Sequence, residues 1–295
     1  MSDLLDQPGL RAGHWTNARG RTGCTVLVFD TPALSAVEVR GAAPGSRELE
    51  CLAPGRLVQR ANAIVLTGGS AFGLAAADGV MRELAARGFG FQAAAGPVPI
   101  VPAAVIYDLS NGEPAAPTAE DGRLALLAAR PLPETAQGAV GAGTGATWNK
   151  ITGRPHPGGI GIAQERCGEF VVTAVVVLNA MGGVTGLADD PRRSVLAAPQ
   201  SSPGASEATT LIAVVTDHPC EHATLSRLCV AAHDGLARIV VPAHTIFDGD
   251  IAFASTLNEG LPTDAERLRL GIATELAVEA AILRAATPGD ATLGA

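Results

Sequence analysis

The order of hydrophobic and polar positions along the chain predicts a mixture of strands and long helices. Short β-branched runs, most of them bounded by Gly, Pro, Asn or Asp, predict strands at residues 25–29, 36–39, 63–66, 103–107, 170–178 and 211–216. Helical periodicity predicts helices over residues 72–87, 119–129, 225–238 and 265–285, the last with apolar positions at Leu268, Ile272, Leu276, Ala280 and Leu283. Because strands and helices do not alternate strictly, we expect an α+β layered architecture.

Composition indicates a globular chain with a large core. Of the 295 residues, 47% are hydrophobic and 17% are charged, which excludes a disordered chain, and no long polar stretch separates two cores. We therefore expect a single domain over residues 1–295. The formal net charge of −8 argues against nucleic acid and anionic membranes as partners, because both require clustered basic groups.

Cysteine usage and the N-terminus predict a cytoplasmic protein. The five cysteines are scattered and form no C-x-x-C pair, which disfavours a disulfide framework and a cysteine-rich zinc site. The first residues do not form a secretory signal, and no apolar run reaches membrane-spanning length. The chain also contains one lysine, Lys150, and one tyrosine, Tyr107, and their rarity is a weak indication of function.

Two glycine-rich segments do not match known catalytic or nucleotide-binding patterns. In residues 67–73 the second glycine of a nucleophile elbow comes one residue late, which favours a helix start with Ser70 as its cap. The backbone N–H groups of Gly69 and Ser70 remain candidates for binding substrate. Residues 138–145 do not fit G-x-G-x-x-G, so a dinucleotide site is not expected.

Three further segments carry candidate chemistry. Residues 186–208 have the composition of a long linker and stop abruptly at a strand that begins near Thr209. Residues 218–222, HPCEH, contain metal-ligand types, but Pro219 breaks helical and hairpin spacing, which favours a helix cap over zinc. Asp248 and Asp250 flank a glycine, and the residues alone leave open a cation site, a coupled acid/base pair or a plain Asp-Gly turn.

Taken in order, several segments of the chain are similar to one family. These are residues 66–74 (LTGGSAFGL), 104–108 (AVIYD), 141–145 (GAGTG), 177–182 (VLNAMG), 209–211 (TTL) and 247–250 (FDGD). The ordered set resembles the self-processing aminopeptidases typified by L-aminopeptidase/D-esterase (DmpA) and the β-peptidyl aminopeptidases, with nylon-oligomer hydrolase as a branch. The resemblance spans nearly the whole chain.

The resemblance implies a fold and a reaction. The fold is a layered αββα sandwich of the DmpA/ornithine-acetyltransferase type, with two central sheets between helical layers. The precursor cuts itself before a Ser or Thr, here between Ala208 and Thr209, into chains 1–208 and 209–295. Thr209 then hydrolyses small peptides or peptide-like amides through an acyl-enzyme. No cofactor or metal is implied, and the implied assembly is a homotetramer of cleaved pairs.

The resemblance also implies roles for individual residues. Asp248 and Asp250 match positions beside the nucleophile, where one orients or deprotonates its hydroxyl and the other holds the amine or shares a proton. Tyr107, Lys150 and Asn179 match pocket positions that position the nucleophile and stabilise the oxyanion, with the Asn179 amide and the Tyr107 phenol as candidate donors. The chemistry is reasonable because a free α-amine, with an ordinary pKa of about 7.7–8.0, provides a base beside the Thr209 hydroxyl.

The sequence departs from the family pattern at two places. Ala208 stands where the family usually has Asn or Gly, and Asp248 and Asp250 stand where the β-aminopeptidase branch has Ser and Glu. The double-Asp pattern is more similar to the nylon-hydrolase branch. Two alternatives therefore remain beside an amidohydrolase: an acyltransferase of the ornithine-acetyltransferase type, and a poorly processed non-catalytic relative.

Overall fold

The structure is a computed structural model that describes residues 4–197 and 207–287. The strands are β1 (Leu10–Asn17), β2 (Thr22–Val39), β3 (Ser46–Arg47), β4 (Arg60–Thr67), β5 (Phe91–Ala93), β6 (Gly96–Val98), β7 (Ala103–Val105), β8 (Arg130–Pro131), β9 (Thr147–Trp148), β10 (His156–Pro157), β11 (Ile160–Cys167), β12 (Phe170–Asn179), β13 (Gly183–Val184), β14 (Thr209–Thr216), β15 (Val240–Val241) and β16 (Ile251–Thr256). The α-helices are α1 (Ser70–Gly73), α2 (Ala75–Ala86), α3 (Ala119–Leu127), α4 (Arg192–Ala197), α5 (His222–Ile239) and α6 (Asp264–Ala286).

The main sheet is continuous through one long strand. Its order is β11-β12-β14-β16-β2-β4-β7-β3, with β1 paired to β2 and β8 paired to β1. The 18-residue β2 pairs with β16 through its C-terminal part and with β1 through its N-terminal part, and its register against β4 shifts between Val28 and Ala33. We call β11, β12, β14, β16 and the C-terminal part of β2 the first sheet half, and the N-terminal part of β2 with β1, β4, β7 and β3 the second sheet half. The two halves are hydrogen-bonded to each other through β2.

Three hydrophobic cores separate four layers. One core lies between helices α5 and α6 and the first sheet half, one lies between the two halves, and one lies between the second half and helices α2 and α3. Alternate residues of a strand enter different cores, as the pleat of a strand requires: Val176 faces α5 and α6, whereas Val177 faces the central core. On β4, Ile64 faces the central core and Val65 faces α2 and α3. This is the expected α+β αββα arrangement.

The predicted strands are all present, with modest changes in length. The segments predicted at 25–29 and 36–39 are parts of the single strand β2, and the segment at 211–216 begins two residues earlier, at Thr209. The helices predicted over 119–129, 225–238 and 265–285 correspond to α3, α5 and α6. Thr118 and Thr263 begin α3 and α6 with capping boxes, which stabilise these helix starts.

The expected role of Ser70 as a helix cap is wrong. The helix predicted over 72–87 is divided into α1 and α2, and the N-cap position of α1 is occupied by Gly69, without a side-chain capping bond. Gly69 and Ser70 have φ values of 79° and 52°. A capping serine needs an extended backbone, and the turn after β4 instead requires two successive residues in the left-handed region.

The segment predicted as a linker, residues 186–208, contains the short helix α4. Residues 198–206 lie outside the described residues, and the segment re-enters the fold at Glu207 and Ala208. Within the described ranges, no helix combines the length and apolar character needed to cross a bilayer.

The apolar stripe predicted for the last helix is on its outer face. Leu268 and Ile272 are 67% and 50% exposed, and Leu276 and Leu283 are also exposed, whereas the buried face is formed largely by alanines. The reason is the close approach of α6 to β11: a Cβ built on Gly161 would lie 2.0 Å from the Ala281 carbonyl oxygen. Where the helix lies closest to β11, at Ala281 and Ala285, its side chains are small because the space there is narrow.

Candidate active site

The candidate residues lie together at one end of the strands β12, β14 and β16, which we call the site edge of the first sheet half. β12 runs antiparallel to β14, so the end of β12 at Asn179 pairs with the beginning of β14 at Thr209. β16 is parallel to β14, so the loop that precedes β16 reaches the same edge, where Ala208 forms a bridge with Asp248. Residues that are distant in sequence are therefore neighbours because of strand direction.

The peptide bond between Ala208 and Thr209 is buried, and the backbone of Ala208 is hydrogen-bonded to the loop that contains Gly249. Thr209 is 4% exposed and Ala208 is 1% exposed. The Thr209 hydroxyl donates a hydrogen bond to the Ala208 carbonyl oxygen, and the Gly249 N–H donates to the same oxygen at 2.9 Å. The Ala208 N–H donates to the Phe247 carbonyl oxygen at 3.0 Å. This carbonyl is therefore polarised by an N–H donor while a hydroxyl lies against it.

Gly249 is a site residue that sequence reasoning treated only as part of a turn. A Cβ built at this position would lie 2.7 Å from Thr209 Oγ1 and 2.6 Å from the Ala43 carbonyl oxygen. Its hydrogen atom is what lets the loop between the two aspartates close over the hydroxyl. The available signal was a glycine between two acids in a chain segment that leads into a buried strand.

The two aspartates are buried, and both oxygens of each carboxylate accept hydrogen bonds. Asp248 Oδ1 accepts from the Met181 N–H at 3.1 Å, and its Oδ2 accepts from the Thr245 N–H at 2.9 Å and the Thr245 hydroxyl at 2.6 Å. Asp250 Oδ1 accepts from the Thr210 N–H at 2.6 Å. Burial, and then the nearby Asp250 carboxylate, raise the pKa of Asp248 above its ordinary value. The pair is therefore suited to hold and exchange a proton.

Lys150 forms hydrogen bonds to both the end of β12 and the segment before Thr209. Its Nζ donates to Asn179 Oδ1 and to the Glu207 carbonyl oxygen, both at 2.8 Å. Burial lowers the pKa of Lys150 to about 8, although the charges of Asp248, Glu207 and Asp108 oppose that shift. Lys150 therefore loses its charge far more readily than an exposed lysine.

Asn179 and Tyr107 are joined by a hydrogen bond. The Asn179 amide Nδ2 donates to the Tyr107 carbonyl oxygen at 3.2 Å, and Asn179 Oδ1 also accepts from the Thr147 N–H at 3.0 Å. Tyr107 thus contacts Asn179 through its backbone. The Asn179 side chain links the end of β12 to Thr147 of β9 and to the segment that follows β7, and each of its polar atoms has a protein partner.

Gly69 and Ser70 lie beside Asp108. The Gly69 N–H donates to Asp108 Oδ1 at 2.7 Å, and the Ser70 N–H donates to the Ile106 carbonyl oxygen at 2.9 Å. Both N–H groups, expected to face substrate, are therefore satisfied within the protein. Burial raises the pKa of Asp108 to about 6. Sequence reasoning did not single out Asp108, although it follows Tyr107 directly.

The histidine-rich segment 218–222 lies at the opposite end of β14. Glu221 occupies the N-cap position of α5, and the ring Nε2 of His222 is 2.7 Å from the Leu52 carbonyl oxygen. The expected helix start at this segment is therefore present. Among the residues that the structure describes, no group of three His, Cys, Asp or Glu side chains is arranged to hold a metal ion.

A comparison with protein families agrees with this arrangement. The profile described as Peptidase family S58 matches residues 2–295. The protein belongs to family S58. Membership makes it a hydrolase of the aminopeptidase and amidohydrolase type, and it confirms the family suggested by the ordered motifs.

Relatives of this S58 peptidase include proteins named for two activities. An uncharacterised aminopeptidase of Mycobacterium leprae is 38% identical over 287 residues, which cover 86% of this chain and 78% of the relative. A 6-aminohexanoate-oligomer endohydrolase of Agromyces sp. is 33% identical over 280 residues, which cover 88% of this chain and 76% of the relative.

Solved structures show that the fold of this S58 peptidase is shared. A β-aminopeptidase of a Burkholderia species has a TM-score of 0.75 and 23% identity, covering 96% of this chain and 88% of the other. The L-aminopeptidase D-Ala-esterase/amidase of Ochrobactrum anthropi, described as a variant of the Ntn hydrolase fold, has a TM-score of 0.74 and 19% identity, covering 97% and 88%. The αββα sandwich is therefore the fold of known amide hydrolases.

Proposed function

We propose that this chain is a self-processing amidohydrolase whose nucleophile is the hydroxyl of Thr209. The observation that carries the proposal is the contact of that hydroxyl with the carbonyl of the Ala208–Thr209 bond, whose oxygen also accepts the Gly249 N–H. A hydroxyl group in this place is next to the one peptide bond whose cleavage frees its own α-amine. The proposed products are chains 1–208 and 209–295.

The first reaction is the cut itself. Thr209 Oγ1 adds to the Ala208 carbonyl carbon, its proton passes to the Asp248/Asp250 pair, and the charge that develops on the oxygen is stabilised by the Gly249 N–H. The C–N bond then breaks, the Thr209 nitrogen takes up a proton, and Ala208 remains as an ester on Thr209. Water hydrolyses the ester, which releases the Ala208 carboxylate and restores the hydroxyl.

The second reaction repeats these steps on a substrate. The freed α-amine, with an ordinary pKa of about 7.7–8.0, is a base on the same residue as the hydroxyl. Thr209 Oγ1 attacks the substrate carbonyl, the substrate amine leaves with a proton, and water hydrolyses the acyl-enzyme. Lys150 and Asn179 support this step by holding the end of β12 beside the nucleophile. No step requires a cofactor or metal.

The proposed substrates are small peptides and peptide-like amides. The names of the relatives, an aminopeptidase and a 6-aminohexanoate-oligomer endohydrolase, support this class. Incubation with an N-acetylated donor and glutamate distinguishes hydrolysis from acyl transfer. Release of free acetate supports hydrolysis. Formation of N-acetylglutamate would instead identify the protein as an acyltransferase.

The first experiment is the intact mass of the purified protein under denaturing conditions. We expect two chains that break between Ala208 and Thr209 in the wild type, and one uncut chain in Thr209→Ala. Thr210→Ala is the matched control, because Thr210 is also a buried threonine of β14 and plays no part in the proposed reaction. Thr210→Ala should be cut.

An uncut wild type would be resolved with a second variant. Ala208→Asn places the usual family residue before the nucleophile. If Ala208→Asn is cut and the wild type is not, Ala208 prevents maturation and Thr209 remains the nucleophile. If both chains stay intact after long incubation and neither hydrolyses amides, the proposed function is wrong.

The proposal includes an assembly of identical protomers, a homotetramer of cleaved pairs. Support comes from the outer face of α6, where four large apolar side chains are exposed: Leu268, Ile272, Leu276 and Leu283. An exposed apolar stripe of this kind is typical of a surface that packs against another chain. Light scattering coupled to size exclusion measures the mass directly, and a monomer at micromolar concentration would refute this part of the proposal.

A further inference from the structure

His244 directs two donors at one oxygen of Asp250. Its backbone N–H lies 3.1 Å from Asp250 Oδ2 and its ring Nδ1 lies 2.8 Å from the same atom. A carboxylate oxygen only accepts hydrogen bonds, so Nδ1 carries the hydrogen. The φ of His244 is 53°, a left-handed conformation that few residues other than glycine and asparagine adopt readily. That conformation is what lets both donors converge.

The His244 ring lies against the ring of a second histidine. His244 Nε2 is buried without a hydrogen-bond partner among the described residues, and the His233 ring of α5 lies 4.9 Å away, centroid to centroid, at 74°. His233 Nε2 is 3.1 Å from the Glu38 carbonyl oxygen, so Nε2 carries its hydrogen and Nδ1 carries the lone pair. Burial lowers the pKa of His233 to about 4, which keeps that ring neutral.

We propose that His244 is a positioning residue for Asp250, and that the neutral ring of His233 packs against His244 and fixes the orientation of the His244 imidazole. This inference rests on the proposed function. Asp250 Oδ2 is occupied by His244 while Oδ1 accepts the Thr210 N–H, one residue after the nucleophile. The imidazole therefore fixes the position of the Asp250 carboxylate, whose other oxygen is held next to the nucleophile.

The charged groups around His244 are consistent with this role. Asp250 contacts it from its own loop, where Asp248 is two residues away from Asp250 in sequence, and neutral His233 contacts it from α5. Arg40, which follows β2, pairs with Glu38 at 2.7 Å and with Asp234 at 3.6 Å. The basic group that approaches the pair from β2 is thus paired with other acids, and the His244 imidazole is the side-chain group that hydrogen-bonds Asp250.

The test compares two replacements that both tolerate the left-handed backbone. His244→Gly removes the ring and keeps the backbone, whereas His244→Asn supplies an N–H donor near the position of Nδ1. We expect kcat for amide hydrolysis to fall about 10- to 100-fold in His244→Gly, with KM changed less than about threefold, and His244→Asn to stay close to wild type. The His244 side chain is 20% exposed, so added imidazole should enter the space left in His244→Gly and restore kcat.

His222→Asn is the control for loss of a partly buried histidine, because His222 hydrogen-bonds a backbone carbonyl at the opposite end of β14. It should behave as wild type. Wild-type kcat in His244→Gly, or an equal loss in His244→Asn without rescue by imidazole, would overturn the assignment. If the wild type itself has no activity, the proposed function fails, and ring ¹⁵N spectra still test the contact. They should show His244 protonated on Nδ1, with a signal that moves in Asp250→Asn.

Discussion

The reactivity of Thr209 depends on atoms within a hydrogen-bond length of its hydroxyl. A free threonine hydroxyl is a weak nucleophile, and here it is buried against a carbonyl that the Gly249 N–H already polarises. Asp248 and Asp250 are held beside the nucleophile by the backbone N–H groups of Met181 and Thr210. The residues of the site are therefore arranged as a rigid frame around one peptide bond, which is what attack on that bond requires.

Gly249→Ala should block the proposed cut without unfolding the protein. The new methyl group would lie 2.7 Å from Thr209 Oγ1, so the hydroxyl or the loop must move, and a displacement of about 1 Å costs on the order of 100-fold in rate. The measurement is the rate of chain cleavage by denaturing mass spectrometry. Gly271→Ala is the matched control because nothing lies within 4 Å of a Cβ there. Equal cleavage in both variants would contradict the role given to Gly249.

Asp108→Asn should stabilise the protein at neutral pH. Burial raises the pKa of Asp108 to about 6, so the folded state holds the proton more tightly than the unfolded state. The free energy of unfolding therefore falls as pH rises from about 4 to about 6. The full loss, roughly 1–3 kcal/mol, persists above that range. Asparagine has no charge to bury. Thermal unfolding should show a gain at pH 7.5 that vanishes at pH 4.

The control for this prediction is Asp6→Asn, since Asp6 is exposed. Asp6→Asn should leave the difference between the two pH values unchanged. A gain for Asp108→Asn that is the same at pH 4 and pH 7.5 would mean that packing, and not charge burial, is responsible.

At the scale of elements, strand direction brings the site together. Antiparallel β12 and β14 and parallel β14 and β16 place Asn179, Thr209 and the loop at Asp248 on one edge. The helices contribute indirectly, since α5 and α6 cover the outer face of these strands and His233 of α5 reaches the back of the site. The loop that holds Asp250 therefore packs against α5 through the two histidine rings.

Two isoleucines of α6 should respond very differently to truncation. Ile282 is completely buried and Ile272 is 50% exposed. Ile282→Ala should cost about 2–5 kcal/mol of unfolding free energy at any protein concentration, because it leaves a cavity in the core. Ile272→Ala should cost little in a protomer, and its effect should grow with protein concentration if α6 lies in an interface. Chemical denaturation at two concentrations measures both, and similar, concentration-independent losses would refute the assignment of faces.

At the scale of the whole molecule, the proposed cut falls inside the sheet. β14 begins at Thr209 and is hydrogen-bonded between β12, from chain 1–208, and β16, from chain 209–295. The two chains would therefore share the hydrophobic cores on both faces of β14.

The cut chains should stay together. Size exclusion in native buffer should give one species that contains both chains, and denaturant should separate them, because burial of β14 does not depend on the covalent bond before it. Thr209→Ala, uncut, is the control and should elute at the same volume. Dissociation of the wild-type chains in native buffer would contradict the placement of β14 at the centre of the sheet.

Much of this structure was accessible from the order of residues alone. Helical periodicity and β-branched runs bounded by turn residues are local signals, so the elements and their approximate limits could be predicted from the sequence alone. The ordered motifs likewise identified the family and the αββα sandwich, and they singled out Thr209 and the two aspartates as candidates.

Only the tertiary structure decided how these residues are used. The buried face of α6 is set by the close approach of Gly161 on β11, a contact between residues far apart in the chain. The Asn179 amide nitrogen donates to the Tyr107 carbonyl oxygen, and the N–H of Gly249 donates to the Ala208 carbonyl oxygen. Hydrogen-bond partners depend on which strands lie side by side and on what burial excludes, and neither is a local property of the sequence.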